Sequence, residues 1–242
     1  MRAISRRQFL ELAMAVPCMY SAPLYAASAP VPDSRFQGCF LRAGSDDFLD
    51  KLTLRLSSND KEVDQVYAAA DRDLRREFKV SPDTWFYDDG NTPNAFATWL
   101  LRRGFRGDGT VCLGLGLVRR VTRRNELNRR WKTRLTAIMA HEWAHIVQYS
   151  RGHRLPGKST ELHADFLAGW FLSRTSAART ESVEKQGAEA MYRFGLLGDN
   201  DLGHPDHHGT MAERANAVTQ GFDLAAKVNN VDAAYRARSL SG

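Results

Sequence analysis

The sequence predicts an α+β fold class, a mostly helical single domain with a small β-sheet. Two observations support this prediction. Long stretches repeat apolar residues at helical spacing, and a few short aromatic or apolar runs between turn residues are typical of strands. The 242 residues, 43% of them apolar and 26% charged, suit one soluble domain and exclude collagen-like, low-complexity and wholly disordered classes.

The first element is an export signal over residues 1–28. Arg6-Arg7 precedes Phe9-Leu10, a weakly apolar stretch follows from Leu12 to Tyr20, and small residues occupy positions 26–29. A positive head, a short apolar segment and small residues at the cleavage site are the parts of a secretory signal peptide. The paired arginines resemble the twin-arginine signal, so we expect a periplasmic or secreted protein that is cleaved near residues 26–29.

The remaining residues, 29–242, are predicted to form one domain with a smaller basic excess than the whole chain. The whole chain carries +6, and the loss of three arginines and Glu11 leaves 31 basic and 27 acidic residues, a net charge of +4. Cys39 and Cys112 remain, and an oxidising compartment permits them to pair, but the sequence leaves the disulfide open. It also leaves open whether residues 30–57 are a pro-segment, a lid or an edge of the fold.

Within this domain, apolar residues at helical spacing from Asn59 to Lys79 predict an amphipathic helix. Thr84–Tyr87 and Asn94–Leu101 are predicted strands, and Thr110–Val118 is a third apolar run between turns. Four further helices are predicted over residues 125–149, from Ser159 or Thr160 to Leu172, over 181–196 and over 210–227. No apolar run reaches the ~20 residues of a membrane-spanning helix.

The most specific motif is His141-Glu142-Trp143-Ala144-His145, inside the helix predicted over residues 125–149. Residues four apart lie on one face of a helix, so the imidazoles of His141 and His145 can converge on one ion. Glu142 stands beside them, where its carboxylate can reach a water that the ion activates. Burying two histidines and a glutamate in so apolar a helix is costly without a partner, which favours a zinc site over two core histidines.

A third ligand is expected on the next helix, because catalytic zinc takes three protein ligands and keeps one position for water. Glu161, 16 residues after His145 and beyond a turn-forming stretch, is the favoured ligand. His163 competes with it, and since the two point away from each other on one helix, only one can serve. Asp165, one turn beyond Glu161, is expected to accept the free N–H of a ligating imidazole. The zinc site is thus predicted between two packed helices, beside the edge strand of the sheet.

These motifs resemble a known family. His141-Glu142-x-x-His145 followed by Glu161-x-x-Ala164-Asp165 looks like the minimal gluzincin zinc metallopeptidases, which include the CAAX prenyl proteases, the heat-shock membrane proteases and small soluble bacterial members. Asn94-Ala95-Phe96-Ala97 resembles the group's Asn-Ala-Phe segment. His208-Gly209-Thr210-x-x-Glu213-Arg214 resembles its His-Pro-Ser/Thr…Arg motif, with a glycine in place of the proline. The likeness covers roughly residues 84–216.

The resemblance implies an exported zinc-dependent endopeptidase with one catalytic Zn²⁺, held by His141, His145 and Glu161. A metal-activated water would hydrolyse the peptide bond, with Glu142 as the general base. The membrane-spanning helices of some family members have no counterpart in this sequence, so the substrates of those members are not expected here.

Further residues are expected around the reacting bond. His208 is the favoured donor to the oxyanion, and Arg214, His207 and Tyr149 are further candidates for contacts to the transition state or the substrate. The run Thr110–Leu117 is expected to offer a free strand edge to an extended peptide, through main-chain hydrogen bonds.

A basic run precedes the catalytic motif. Eight cations lie between Arg119 and Arg134, with Glu126 the only acid among them. Such a run is typical of a solvated helix face, which is the favoured interpretation, or of a surface that docks on an anionic envelope polymer or lipid headgroup. Trp131 is the only aromatic residue there that could stack on bases, so nucleic acid is not an expected partner. The oligomeric state is left open.

Two alternative functions remain open at this point. One is a metal-stabilised, non-catalytic binding protein of the cell envelope that uses its basic face. The other is a zinc amidase that acts on cell-wall peptide. Glu142 argues against the first, because a purely structural zinc site has no need of a carboxylate beside its ligands.

Overall fold

Six helices and a four-stranded sheet make up the part of the chain that the computed structural model describes, residues 48–90, 93–122, 130–175 and 209–238. The strands are β1 (Leu54–Arg55), β2 (Asp83–Tyr87), β3 (Ala95–Thr98) and β4 (Thr110–Gly114). The helices are α1 (Lys61–Phe78), α2 (Leu115–Thr122), α3 (Trp131–Ser150), α4 (Lys158–Arg174), α5 (Met211–Leu224) and α6 (Val231–Ala237). This composition confirms the predicted mostly helical α+β class.

Helix α1 lies where helical spacing predicts it. The Asp60 side chain accepts hydrogen bonds from the backbone N–H groups of Glu62 and Val63, which satisfies two donors of the first turn. Lys79 ends the helix in the left-handed conformation, with φ at +57°. Its buried face consists of Val63, Ala70, Leu74 and Phe78. The amphipathic pattern therefore predicts both the type of this element and the face that packs on the core.

The sheet has the strand order β1-β2-β4-β3. β2 runs parallel to β4, whereas β1 is antiparallel to β2 and β3 is antiparallel to β4. The strands predicted at Thr84–Tyr87 and Asn94–Leu101 are confirmed as β2 and as a shorter β3. The prediction that Thr110–Leu117 offers a free edge is wrong, because β4 is paired on both sides. The edge beside β4 belongs to β3.

The apolar run Thr110–Val118 is not one strand but a strand followed by a helix. Asp89, in the connection between β2 and β3, accepts hydrogen bonds from the N–H groups of Gly116 (2.6 Å) and Leu117 (2.9 Å), at the start of α2. A side chain at Gly114 or Gly116 would collide with this carboxylate. The negative charge at a helix N-terminus ends the strand and begins α2.

The helical layer is built around α4, which packs between α3 and α5 and also contacts α6. α3 and α4 are buried on nearly all sides, with Trp143 and Trp170 fully enclosed. α4 and α5 cross closely because neither carries a side chain at the crossing point. A Cβ on Gly169 would collide with the carbonyl of Val218, and one on Gly221 with the carbonyl of Phe166.

We expect Gly221→Ala to lower the free energy of unfolding by about 1–3 kcal/mol, since the added methyl group would push the two backbones apart. This loss should appear although alanine favours a helix over glycine by ~1 kcal/mol. Urea titration followed by circular dichroism measures it. Asn216→Ala, at an exposed position of the same helix, is the control for helix propensity. Unchanged or increased stability in Gly221→Ala would contradict the close crossing.

Several sequence predictions concern residues outside the described ranges. They are the export signal at residues 1–28, Cys39, the helix over 181–196, and His207 and His208. Cys112, on β4, is a free and buried thiol. None of the helices in the described ranges combines the length and apolar character that crossing a bilayer requires.

Candidate metal centre

Two histidines of α3 face the same side of the helix. His141 and His145 are one turn apart, and their Nε2 atoms are 3.2 Å from each other. Both side chains are buried, with exposed fractions of 1% and 0%. The apolar residues around them on α3 bury this part of the helix against the sheet and α4. The helix thus delivers two imidazole nitrogens to one point in the interior.

Glu161 completes this group from α4. One of its carboxylate oxygens lies 3.2 Å from Nε2 of His141, and the other lies 3.5 Å from Nε2 of His145. The turn after α3 reverses the chain, so that the first turn of α4 stands opposite the histidines. Among the described residues, His141, His145 and Glu161 form a group whose ligand atoms lie within 4.8 Å of one another and could hold a metal ion.

The other ring nitrogens fix the tautomers of the two histidines. Nδ1 of His141 is 2.9 Å from an oxygen of Asp165, and Nδ1 of His145 is 2.8 Å from Oε1 of Gln148. A carboxylate and an amide oxygen can only accept, so both Nδ1 atoms carry a proton. In the neutral rings, the Nε2 lone pairs then face Glu161. Burial lowers the pKa of His145 to about 4, although the Glu161 charge opposes the shift.

Asp165 is held from behind by Arg214 of α5. Arg214 donates from Nε to one carboxylate oxygen (2.7 Å) and from a terminal nitrogen to the other (2.8 Å), and both side chains are buried. Burial alone would raise the pKa of Asp165, but the guanidinium and His141 hold it below its usual value. The structure therefore places Arg214 behind the metal-binding group, where it orients His141 through Asp165. A contact between Arg214 and a substrate stays a prediction.

Arg214→Lys is expected to lower the free energy of unfolding by about 2 kcal/mol, because an ammonium group cannot reproduce the two-pronged contact with Asp165. Chemical denaturation of the metal-free protein measures the loss. Arg76→Lys serves as the control, since Arg76 pairs with Asp73 at the surface, and its effect should stay within about 0.5 kcal/mol. Equal losses in the two proteins would mean that the buried pair contributes nothing specific.

His163, the competing ligand, lies elsewhere in the interior. Its Nδ1 is 3.1 Å from the side-chain nitrogen of Gln148, and its Nε2 is 3.0 Å from the carbonyl of Tyr235. Burial lowers its pKa to about 4. The metal-binding group contains Glu161 and not His163. The direction of α4 therefore selects between the two alternatives that the sequence offers.

Glu142 is buried beside His141, with an exposed fraction of 1%. It lies near enough to β4 to influence the Cys112 thiol, whose pKa is raised by burial first and then by the charges of Asp83 and Glu142. Glu142 thus follows a ligand-forming histidine on α3 without belonging to the metal-binding group. Its role as a general base stays a prediction.

Tyr149 links the metal-binding helix to the edge strand. Its hydroxyl donates to the carbonyl of Ala97 on β3 at 3.3 Å, and its ring lies 6.3 Å from that of His145 and 5.4 Å from that of Trp99. The edge strand that borders the group is therefore β3. A contact between Tyr149 and a substrate stays a prediction.

The motif that resembles His-Pro-Ser/Thr…Arg is described only from Gly209 onward. Gly209 has φ at +90°, a conformation closed to proline, so proline could not take this position without a change in the backbone. Thr210 and Glu213 form a capping box that begins α5 and thereby fixes the register of Arg214.

The basic run does not form one continuous exposed face in its described part. Arg119 and Arg120 are exposed, whereas Arg134 is buried and Lys132 pairs with Glu62 of α1 at 2.8 Å. Residues 123–129 lie outside the described ranges. An anionic docking surface stays a prediction.

Sequence reasoning missed Gln148, which contacts both His145 and His163. The available signal was its position three residues after His145 in a helix that is apolar on all sides, where a buried amide needs polar partners.

No protein-family profile, no curated protein and no solved structure matches this chain.

Proposed function

We propose that this chain is a zinc-dependent endopeptidase. The observation that supports the proposal is the convergence of His141, His145 and Glu161, with Glu142 beside them on the same helix and outside the group. Two imidazoles and a carboxylate are the ligand set of one class of catalytic zinc sites. A neighbouring carboxylate gives the group a base that a storage or structural site would not need.

The spacing of the two imidazole nitrogens suits zinc. With metal–ligand bonds of about 2.0–2.1 Å at tetrahedral angles, neighbouring ligand atoms lie about 3.3 Å apart. Nε2 of His141 lies 3.2 Å from Nε2 of His145, and each of these nitrogens has one oxygen of Glu161 close to it, Oε2 at 3.2 Å from His141 and Oε1 at 3.5 Å from His145. Nitrogen and oxygen donors in this geometry favour zinc over calcium or magnesium, which prefer six or more oxygen ligands.

The number of ligands supports a catalytic site. Structural zinc sites have four protein ligands, whereas catalytic sites have three and leave one position for water or substrate. Among the residues that the structure describes, the group has three members. A group of three ligands therefore favours an enzyme over the metal-stabilised envelope binding protein.

The proposed reaction is hydrolysis of a peptide bond. Zinc held by His141, His145 and Glu161 would supply Lewis acidity, which would polarise the scissile carbonyl and make an attacking water more acidic. Glu142 would take a proton from the water as its oxygen bonds to the carbonyl carbon, and would pass that proton to the amine nitrogen as the C–N bond breaks. β3 offers the edge of the sheet beside the metal-binding helix, where main-chain groups can pair with an extended peptide. His208 is proposed as the donor to the oxyanion.

The export signal predicted over residues 1–28 implies that the substrates lie in the periplasm or outside the cell. Substrates of that compartment include the peptides of the cell wall, so the zinc amidase stays the second candidate within the enzyme class. The two enzymes differ in the bond that they cleave.

A cleavage assay on defined substrates tests the proposal. The purified chain, loaded with zinc, is incubated with a peptide library derived from a proteome and with cell-wall peptide fragments, and new termini are identified by mass spectrometry. We expect cleavage of the library that is lost with a zinc chelator and restored by added zinc. Cleavage confined to the cell-wall fragments would favour the amidase. No cleavage of either substrate would leave the binding protein as the better account.

A further inference from the structure

A row of buried polar groups runs from the metal-binding group to the last described helix. Gln148 lies one turn beyond His145 on α3, and its Oε1 is 2.8 Å from Nδ1 of that histidine. Its Nε2 is 2.9 Å from the carbonyl of Thr160 and 3.1 Å from Nδ1 of His163. Nε2 of His163 is 3.0 Å from the carbonyl of Tyr235 on α6. The three side chains of this row are each 0% exposed.

Two backbone carbonyls determine the direction of every hydrogen bond in the row. The carbonyl of Thr160 can only accept, so the amide nitrogen of Gln148 faces it and the amide oxygen faces His145. The carbonyl of Tyr235 can only accept, so the proton of His163 is on Nε2. Nδ1 of His163 is then an acceptor for the second amide hydrogen of Gln148. The one proton pattern that fits all four contacts puts a proton on Nδ1 of His145.

We propose that Gln148 and His163 are positioning residues, which hold His145 in the tautomer whose Nε2 lone pair points into the metal-binding group, with the Tyr235 carbonyl as the far anchor. The proposal rests on the metal centre of the proposed function and not on peptide hydrolysis. A metal-ligating imidazole generally needs a partner on its other nitrogen, and that partner changes metal affinity by 10–100-fold. His141 receives this support from Asp165, and His145 receives it from Gln148.

Because the Tyr235 carbonyl belongs to α6, the position of α6 affects the metal centre through His163 and Gln148. Asp232 of α6 pairs with Arg151, and the guanidinium of Arg151 also lies 4.8 Å from the centre of the Tyr235 ring. The Tyr235 ring packs edge-on against His163, with 4.8 Å between the ring centres. These contacts fix the carbonyl that accepts from His163. His163, the alternative ligand that the sequence offers, thus acts on His145 through the side-chain amide of Gln148.

The first experiment measures the tautomers directly in the wild-type protein. The full metal-free chain, labelled with ¹⁵N in its histidines, is studied by long-range ¹H–¹⁵N correlation spectroscopy, which distinguishes Nδ1–H from Nε2–H. We expect His145 to carry its proton on Nδ1 and His163 to carry it on Nε2. A proton on Nδ1 of His163, or a mixture of tautomers at either ring, would overturn the proposal without any variant.

The second experiment breaks hydrogen bonds of the row with two separate substitutions. Gln148→Met keeps the volume and deletes three hydrogen bonds, and we expect His145 to become a tautomer mixture and zinc affinity to fall by about 10–100-fold. His163→Phe leaves Gln148 in place but removes the acceptor of its second N–H, so a smaller loss in the same direction is expected. Competition with a chromogenic chelator gives the affinities, and the visible spectrum of the cobalt-substituted protein reports the ligand geometry.

Gln65→Met is the matched control, because it makes the same substitution at an exposed position of α1 and takes no part in the row. Its zinc affinity should stay within about twofold of wild type. Folded Gln148→Met and His163→Phe proteins that keep a single His145 tautomer and wild-type zinc affinity would overturn the proposal. Failure to cleave peptides, by contrast, would count against the proposed function and leave these measurements unaffected.

Discussion

The Glu142→Gln protein is expected to bind zinc as the wild type does and to cleave peptide bonds about 10²–10⁴-fold more slowly. Glutamine has nearly the same shape as glutamate, so the buried position beside His141 should accept it. The amide cannot take a proton from water, and this removes general base catalysis while leaving the ligands untouched. Metal content is measured on the purified protein, and kcat/KM on a peptide identified by the cleavage assay.

The matched control for this prediction is Glu62→Gln, which neutralises a carboxylate on α1. Glu62 pairs with Lys132, in the first turn of α3, and is far from the motif along the chain. Its kcat/KM should equal that of wild type. A Glu142→Gln protein with full activity and full zinc content would contradict the assigned base, and the metal centre would then need another proton acceptor.

Glu161→Ala is expected to weaken zinc binding by about 10²–10³-fold. Zinc sites with four ligands bind with about 10–16 kcal/mol, so each ligand contributes roughly 2.5–4 kcal/mol. The Glu161 carboxylate faces both His141 and His145, and alanine leaves two ligands where three converge. Chelator competition gives the affinity, and circular dichroism shows whether the fold is retained.

Glu77→Ala separates this effect from a general loss of stability. Glu77 of α1 pairs with Arg174, at the opposite end of α4 from Glu161, so its removal weakens the contact between α1 and α4 without touching the metal-binding group. Its zinc affinity should remain that of wild type. If Glu161→Ala binds zinc as tightly as Glu77→Ala does, the third ligand is another residue.

The sequence predicts best those elements that have one buried face. Helix α1 is an example, since Val63, Leu74 and Phe78 recur at the spacing of a helix and are all buried. α3 and α4 are buried on nearly all sides, so their apolar residues show little periodicity. The helix over residues 125–149 is predicted from the apolar face of Leu127, Trp131, Leu135, Ile138 and Met139, and the next helix from a cap at Ser159 or Thr160.

The apolar run from Thr110 to Val118 shows why strand boundaries are harder to predict. The run has one composition throughout, yet it changes from β4 to α2 at Gly114. The change depends on the carboxylate of Asp89, which lies 27 residues before Gly116 in the chain. Local sequence does not reveal a partner at that distance, and the order of the strands, which makes β3 the edge, depends on similar long-range pairing.

The candidate site is predictable where its chemistry follows helical spacing. His141 and His145 are four positions apart, so a helix alone brings them together. The choice between Glu161 and His163 requires the direction in which α4 faces α3, and the sequence does not determine it. Gln148 has no distinguishing motif, because its role comes from a carbonyl on α4 and a histidine whose own partner is on α6.

The antiparallel pair of α3 and α4 has a consequence for the order of folding. All three ligands come from the 21 consecutive residues between His141 and Glu161. Closing so short a loop costs little chain entropy, and contacts of low sequence separation form early. Arg214 and Tyr235 join from segments 49 and 72 residues away from their partners. The chain order therefore predicts that the three ligands come together first, in a helical hairpin. Arg214 and Tyr235 then form their contacts last, when α5 and α6 pack onto that hairpin.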